Sequence, residues 1–246
     1  MIRRLRVNLP PGRPAGQPSL VRHQPSLVRL LAVSDEHDPA LDEAANRQAL
    51  GKIDAVLGCG DLEPDRLGFL ADAFNAPLLL VRGNHDRGGA WEAGERHVPV
   101  ELDGRVEVIA GLPVTGLSWP GPAQGRPVRT EAGAWRQALA ASLRARVRGP
   151  RPEIILSHVP PLGHGDVVGD PFHTGFRAYH WLCRRLQPAL WLHGHTPTAA
   201  GPEWRTSLGR TTLVNVTGAV LVELSRGEGI PSGDGPGRPN LEEQVT

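Results

Sequence analysis

From Ser26 onward the chain alternates apolar runs with segments of helical spacing. "LVRLLAV", "IDAVLGC" and "PLLLV" are short, nearly continuous apolar runs, the pattern of strands buried on both faces. Between them, "ALDEAANRQALG" and "DRLGFLADAF" predict helices, and the β-α-β-α-β order predicts a largely parallel sheet covered by helices. From His97 to Trp119 the apolar runs are broken by "LDGR" and "AGLP", which predicts antiparallel strands. Trp135, Leu139, Leu143 and Val147 recur every four residues and mark one face of a helix, whose arginines at 136, 144, 146 and 148 read as its solvated surface. "EIILS" then predicts a strand, and "GFRAYHWLCRRL" a helix with Phe176, Tyr179, Leu182, Cys183 and Leu186 inward. "ALWLHG" predicts another strand, and "TTLVNV" with "AVLVEL" a closing hairpin that turns at Thr217–Gly218.

The two ends differ from this texture. Residues 1–25 are rich in Pro, Gly and Arg without a sustained period, and are expected to be a mobile leader. Residues 226–246 turn to Gly, Pro and acid and are expected to be a disordered tail. No composition break divides residues 26–225, so one domain is expected. Its apolar share of 39% and charged share of 22% place it among ordinary globular proteins. No apolar run approaches the ~20 residues of a membrane span. The start "MIRRLRVNLPPGRPAG" is positive but lacks an apolar signal region, so the cytoplasm is expected. Cys59 and Cys183 lie in apolar runs and read as reduced core thiols. A net charge of +1 gives no global field to draw in nucleic acid.

The candidate chemistry follows the strands. "LLAV" runs into Asp35 and His37, "AVLGC" into Asp61, and "PLLLV" into Asn84, His85 and Asp86. "EIIL" runs into His158, and "ALWL" into His193 and His195. In an α/β sheet the carboxyl ends of the strands line the ligand crevice, so these groups should share one rim. Asp, Asn and His without Cys suit divalent Mn, Fe or Zn. Asp35 and His37 are two apart, so an extended segment would aim both the same way. Gly83 is expected to take positive φ and turn the chain sharply before Asn84. Asp86 either orients that segment or caps the next turn.

The ordered blocks "SDEH … GD … GNHD … SH … GHT", within Leu27 to Leu224, resemble those of the calcineurin-like metallophosphoesterases. The resemblance implies an α/β fold, a two-sheet β-sandwich flanked by helices, with a dinuclear metal site at the strand ends. It implies that Asp35 and His37 bind the first metal, that Asp61 bridges, and that Asn84, His158 and His195 bind the second. His85 would face the substrate phosphate as general acid or electrostatic stabiliser, oriented by a carboxylate. One departure stands out: many members read Gly-His-x-His, whereas this chain has "GHTP", with Pro197 where the last His would stand. Water would complete the first site, or His193 or His173 would substitute.

Two metals ~3.5–4 Å apart lower the pKa of a shared water towards ~7 and clamp the phosphoryl oxygens, which hydrolysis by a metal-bound hydroxide requires. Neither a Gly-rich phosphate loop nor a G-x-S-x-G elbow suggests other chemistry. The expected substrate is a small phosphodiester or phosphomonoester, with no membrane partner and nucleic acid not favoured. His164 and His173, in the loop "HVPPLGHGDVVGDPFHTGF", are candidate substrate contacts. The competing readings are a non-catalytic scaffold on the same fold, and a nuclease or protein phosphatase of the same family. Metal content separates the scaffold from an enzyme.

Overall fold

The computed structural model describes residues 2–9, 26–86, 99–121, 130–147, 150–167, 169–198 and 203–226. Two mixed sheets face each other, with helices on both outer faces. The first sheet contains β1 (Arg3–Leu9), β2 (Leu27–Ser34), β3 (Ala55–Gly58), β4 (Leu78–Leu80), β5 (Val100–Glu101) and β12 (Gly218–Arg226). Their order is β1-β12-β2-β3-β4-β5. The second contains β6 (Val106–Ile109), β7 (Leu112–Leu117), β8 (Ile154–Ser157), β9 (Leu190–His193), β10 (Arg205–Leu208) and β11 (Thr211–Asn215), in the order β10-β11-β9-β8-β7-β6.

The doubly apolar strands follow from this layering. Leu30 and Ala32 of β2 enter the core between the sheets, whereas Leu31 and Val33 face the helices. On that outer face α2 (Pro64–Phe74) buries Leu67, Leu70 and Ala71, and α1 (Ala44–Leu50) buries Leu50. On the other sheet, Ile155 and Trp191 pack under α3 (Glu131–Val147) and α4 (Arg177–Leu186). β2 to β5 run parallel to one another, as do β7, β8, β9 and β11, so each set delivers its carboxyl ends to a common rim.

Four expectations change. Residues 3–9 are not a mobile leader but strand β1, paired in parallel with β12 from Arg3↔Val220 to Leu9↔Arg226. Leu5, Val7 and Leu9 alternate with Arg6 and Asn8, and Leu5 and Leu9 are buried. The rest of the leader that precedes Ser26, and the tail beyond Arg226, lie outside the described residues. The closing hairpin is also wrong, because β11 and β12 belong to different sheets and residues 216–217 cross between them. β11 instead forms its hairpin with β10, a strand the pattern did not announce. β5 is parallel to β4, and only β6 with β7 is antiparallel in the 97–119 region among the described residues.

The fourth change concerns α3. Its buried residues are Gly133, Ala134, Ala138, Ala141 and Ser142, while Leu139, Leu143 and Val147 are 54%, 63% and 67% exposed. Small side chains let α3 approach α4 closely, where Tyr179 Oη–H donates to Gln137 Oε1 at 2.7 Å. The four-residue period marked a real face, but on the solvent side. Only Trp135, packed at 5.4 Å between ring centroids on Trp181, is partly covered.

Candidate metal centre

Asp35, Asp61 and His158 each follow a strand and offer ligand atoms that all lie within 4.8 Å of one another. His158 is fully buried, and its Nδ1–H donates to the Cys59 carbonyl at 2.9 Å. That bond fixes the tautomer and aims Nε2 at the cluster. Three more groups meet there: Asn84 Oδ1 at 2.8 Å, Asp61 Oδ2 at 3.1 Å and His195 Nδ1 at 3.1 Å from His158 Nε2. His195 is aligned in the same manner, because its Nε2–H donates to the Phe172 carbonyl at 2.7 Å. Asp35 Oδ2 accepts from the His195 backbone N–H at 2.9 Å and from Thr217 Oγ1 at 3.3 Å. Oxygen and imidazole donors converging on one point are the set a divalent ion takes.

The local backbone is built for this convergence. Asp35, Asp61 and His195 have φ of 57°, 54° and 69°. Left-handed backbone at a non-glycine residue costs roughly 1–3 kcal/mol and gathers at functional sites. The glycines of the motifs clear space for the ligands. A β-carbon on Gly83 would lie 2.1 Å from Asp61 Oδ1, one on Gly194 2.2 Å from Asp35 Oδ2, and one on Gly60 2.8 Å from His158 Nδ1. Gly83 is therefore required by this close approach and not by positive φ, which corrects the expected turn. Asp86 orients its segment: Oδ2 accepts from Gly83 N–H at 2.7 Å and Asp61 N–H at 2.9 Å, tying the two blocks together.

The other site residues are placed unevenly. His85 is exposed on the cleft, and its backbone N–H donates to Asp61 Oδ1 at 2.8 Å. Among the described residues no carboxylate bonds its ring. His37 turns away, its side chain 41% exposed and its Nε2 2.7 Å from Asp42 Oδ2. The strand ends at Ser34 and Asp35 takes positive φ, so the segment is not extended and the alternation argument fails. His173 lines the cleft, with its ring centroid 5.3 Å from His195 and Nδ1 2.6 Å from Asp170. His164 does not; it lies against His180 at 5.5 Å. His193 is buried and is not part of the cleft lining, so it does not replace the missing His; Pro197 does line the cleft.

Glu36, Trp119, Phe172 and Thr217 complete a cleft of about 570 Å³. Sequence reasoning passed over all of them as site residues. Thr217 had a faint signal, a hydroxyl just after an apolar strand, but Trp119 and Phe172 had none. A groove of about 620 Å³ lined by Trp135, His180 and Trp181 has no carboxylate among its described lining residues and shares none of them with this cleft.

Burial disfavours charge on His158, but its hydrogen bond to Asp61 and the negative Asp35 and Asp61 outweigh it, raising its pKa to about 9. Burial likewise works to raise Asp61, yet the bond and charge of His158 hold its carboxyl below the ordinary range. His195 is pushed down to about 3 by burial and then by the neighbouring His158 charge. A raised folded-state pKa stabilises the fold fully below the ordinary value of 6.5, and that contribution is lost as pH rises through about 9. Chelated protein should therefore lose melting temperature between pH 6.5 and 9, whereas protein loaded with a divalent ion at His158 Nε2, which would need the deprotonated ring, should hold level. Parallel melting curves across that window would contradict the placement of His158.

The calcineurin-like phosphoesterase family model matches residues 28–199, a span that includes Asp35, Asp61, Asn84, His158 and His195. The chain belongs to the calcineurin-like phosphoesterases. It is thus a hydrolase of phosphoesters in class, and its donor set fits the divalent metals that this family uses. Among solved structures, the protein TT1561 of Thermus thermophilus is 16% identical, with a TM-score of 0.53 over 78% of this chain and 90% of its own. Another is 13% identical with a TM-score of 0.57, covering 78% and 91% respectively. These likenesses concern the fold. No curated protein matches the sequence. Among the described residues no helix is long and apolar enough to cross a membrane.

Proposed function

We propose that this phosphoesterase hydrolyses a small phosphodiester or phosphomonoester with two divalent ions, Mn²⁺, Fe²⁺ or Zn²⁺, in the cleft at the strand ends. The observation that carries the reading is the meeting of Asp61, Asn84 and His195 within 3.1 Å of His158 Nε2, with Asp35 alongside. Asn84, His158, His195 and Asp61 would hold one ion, and Asp35 with the shared Asp61 the other. His37 can join them only by giving up its bond to Asp42. When bound, the ions would acidify a coordinated water and draw charge from the phosphoryl oxygens.

The chain's own groups supply the rest. Cys59 and Phe172 carbonyls keep both ligand imidazoles in the required tautomer. Asp86 fixes the backbone of Asp61 and Gly83, so Asn84 and His85 are presented together. His85, exposed at the cleft, would protonate the leaving oxygen, a contribution typically worth ~10²–10⁴-fold. The deciding experiment measures metal content, then turnover of aryl phosphomonoesters, aryl diesters and nucleotides with added Mn²⁺. Hydrolysis abolished by chelation and restored by Mn²⁺ is expected. Metal-replete protein inert towards all three classes would favour the scaffold reading.

A further inference from the structure

Resting on that phosphoesterase reading, we propose that the substrate is a phosphodiester whose retained ester group carries a planar ring, and that the ring binds against Phe172 and Trp119.

Phe172 is an exposed ring whose backbone is nevertheless held in place. Phe172 is 77% exposed, more than any other large hydrophobic side chain among the described residues. Leaving a phenyl ring in water forfeits about 1.5–3 kcal/mol of burial, so packing does not account for its position. Yet its backbone is fixed on both sides: the N–H donates to Asp170 Oδ1 at 2.8 Å, and the carbonyl accepts from His195 Nε2–H at 2.7 Å. The loop that carries it is closed at its base, where Leu162 N–H donates to Phe176 O at 3.1 Å and Phe176 N–H to Pro160 O at 3.0 Å. Asp166 accepts from Gly175 N–H at 2.9 Å, and Asp170 also bonds His173 at 2.6 Å. These bonds fasten the described part of the loop at its base and on both sides of Phe172.

Phe172 is presented to the cleft and not to bulk solvent alone. It lines the cleft with Trp119, whose ring lies 6.1 Å from His195 and is backed by Phe176 at 6.2 Å. Phe172 and Trp119 thus both adjoin His195, and Pro171 and Pro197 also line this cleft. The same lining carries the polar and acidic groups Asp35, Glu36, Asp61 and Asn84, and Asp35 itself accepts from the His195 backbone N–H. A substrate matching both the acidic and the apolar lining has a phosphoryl group beside an uncharged ring.

Charge selects the diester. The chain has 27 Lys and Arg, but none is among the described residues that line the cleft, whereas Asp35, Glu36 and Asp61 are. A dianionic monoester or a polyphosphate chain would bring further negative charge beside these carboxylates, with no Lys or Arg among the described lining residues to offset it. A diester brings one negative charge. In the reaction, water oxygen forms a new bond to phosphorus, one P–O ester bond breaks, and a water proton ends on the leaving oxygen. The ring-bearing monoester is the other product.

The test keeps the leaving group constant. Phenyl p-nitrophenyl phosphate and methyl p-nitrophenyl phosphate both release p-nitrophenolate, so only the retained ester differs. With Mn²⁺, kcat/KM for the phenyl ester should exceed that for the methyl ester by about tenfold, after correction for their uncatalysed rates. Phe172→Ala should collapse this ratio towards unity, mainly through KM, and Phe172→Trp should preserve it. Trp119→Leu should lower it independently. A ratio unchanged in Phe172→Ala, or higher efficiency on dianionic p-nitrophenyl phosphate than on either diester, would overturn the inference. Failure to hydrolyse either diester or the monoester, at full metal content, would reject the phosphoesterase reading itself and this inference with it.

Discussion

Asp61→Asn should lower turnover by about 10³-fold or more and reduce bound metal, with little change in fold. The shape of the side chain is retained, so Oδ1 can still accept the His85 backbone N–H, and the space left by Gly83 still admits the side chain. What changes is the atom facing His158 Nε2. Asp61 Oδ2, now 3.1 Å away, becomes an amide N–H₂ group that cannot bind a cation. Because the proposed two-ion reading gives Asp61 to both ions, its loss would forfeit charge stabilisation worth several kcal/mol, and each 1.36 kcal/mol is about tenfold in rate. His37→Ala provides the contrast. His37 is paired with Asp42 at the surface, so its removal should cost far less turnover than Asp61→Asn. Metal analysis and steady-state kinetics on both variants test the point. Near-normal metal stoichiometry and turnover in Asp61→Asn would reject the shared-carboxylate assignment.

The convergence at His158 was legible because parallel strands impose a rule: the residues just past each strand end land on one rim. Asp35, Asp61, Asn84, His158 and His195 all come after apolar runs, and no knowledge of side-chain packing was needed to group them. His37 escaped because its direction depends on one backbone angle, the positive φ of Asp35, which the residue type permits without announcing. The glycines were visible as motif members, but their reason was not. Gly83 was read through backbone freedom, whereas the place a β-carbon would take is claimed by a carboxylate from another strand end. Long-range contacts of this kind leave no local trace. The same holds for α3, where the period located an apolar stripe but only the neighbouring helix decided that alanines should face inward. The turn after β11 looked like a hairpin since two strands separated by two residues normally pair. Here Thr217 is instead drawn to Asp35 across the sheets, and the chain changes layer. Phe172 carried no signal at all, because its exposure and the bonds that hold its backbone belong to the folded loop.

Deleting residues 2–9 should lower the melting temperature by about 15 °C or more, the largest effect on stability expected of any change distant from the metal ligands. Ile2, Leu5 and Leu9 are buried, the first under the helices of the first sheet and the other two between the sheets. At about 1.5–3 kcal/mol for each apolar side chain removed from the interior, the loss is a large fraction of a typical 5–15 kcal/mol stability. For a domain of this size each kcal/mol shifts the midpoint by roughly 2–4 °C. The deletion has further costs. Glu223 is buried on β12 and paired with Arg6 at 2.9 Å and Arg29 at 3.2 Å, so it would lose one of its two cationic partners. Arg3 donates to the Asn215 carbonyl at 3.1 Å and to that of Thr217, bracing the crossing between the sheets beside the metal cleft. β12, with its run "AVLVEL", would become an exposed apolar edge, a template for aggregation. Leu5→Ala offers a milder check, with about 2–5 kcal/mol expected from one cavity. Melting followed by circular dichroism, together with light scattering for aggregation, reads both effects. An unchanged transition in the deletion variant would mean that β1 contributes nothing to the fold, and that residues 1–25 are the dispensable leader their composition suggests.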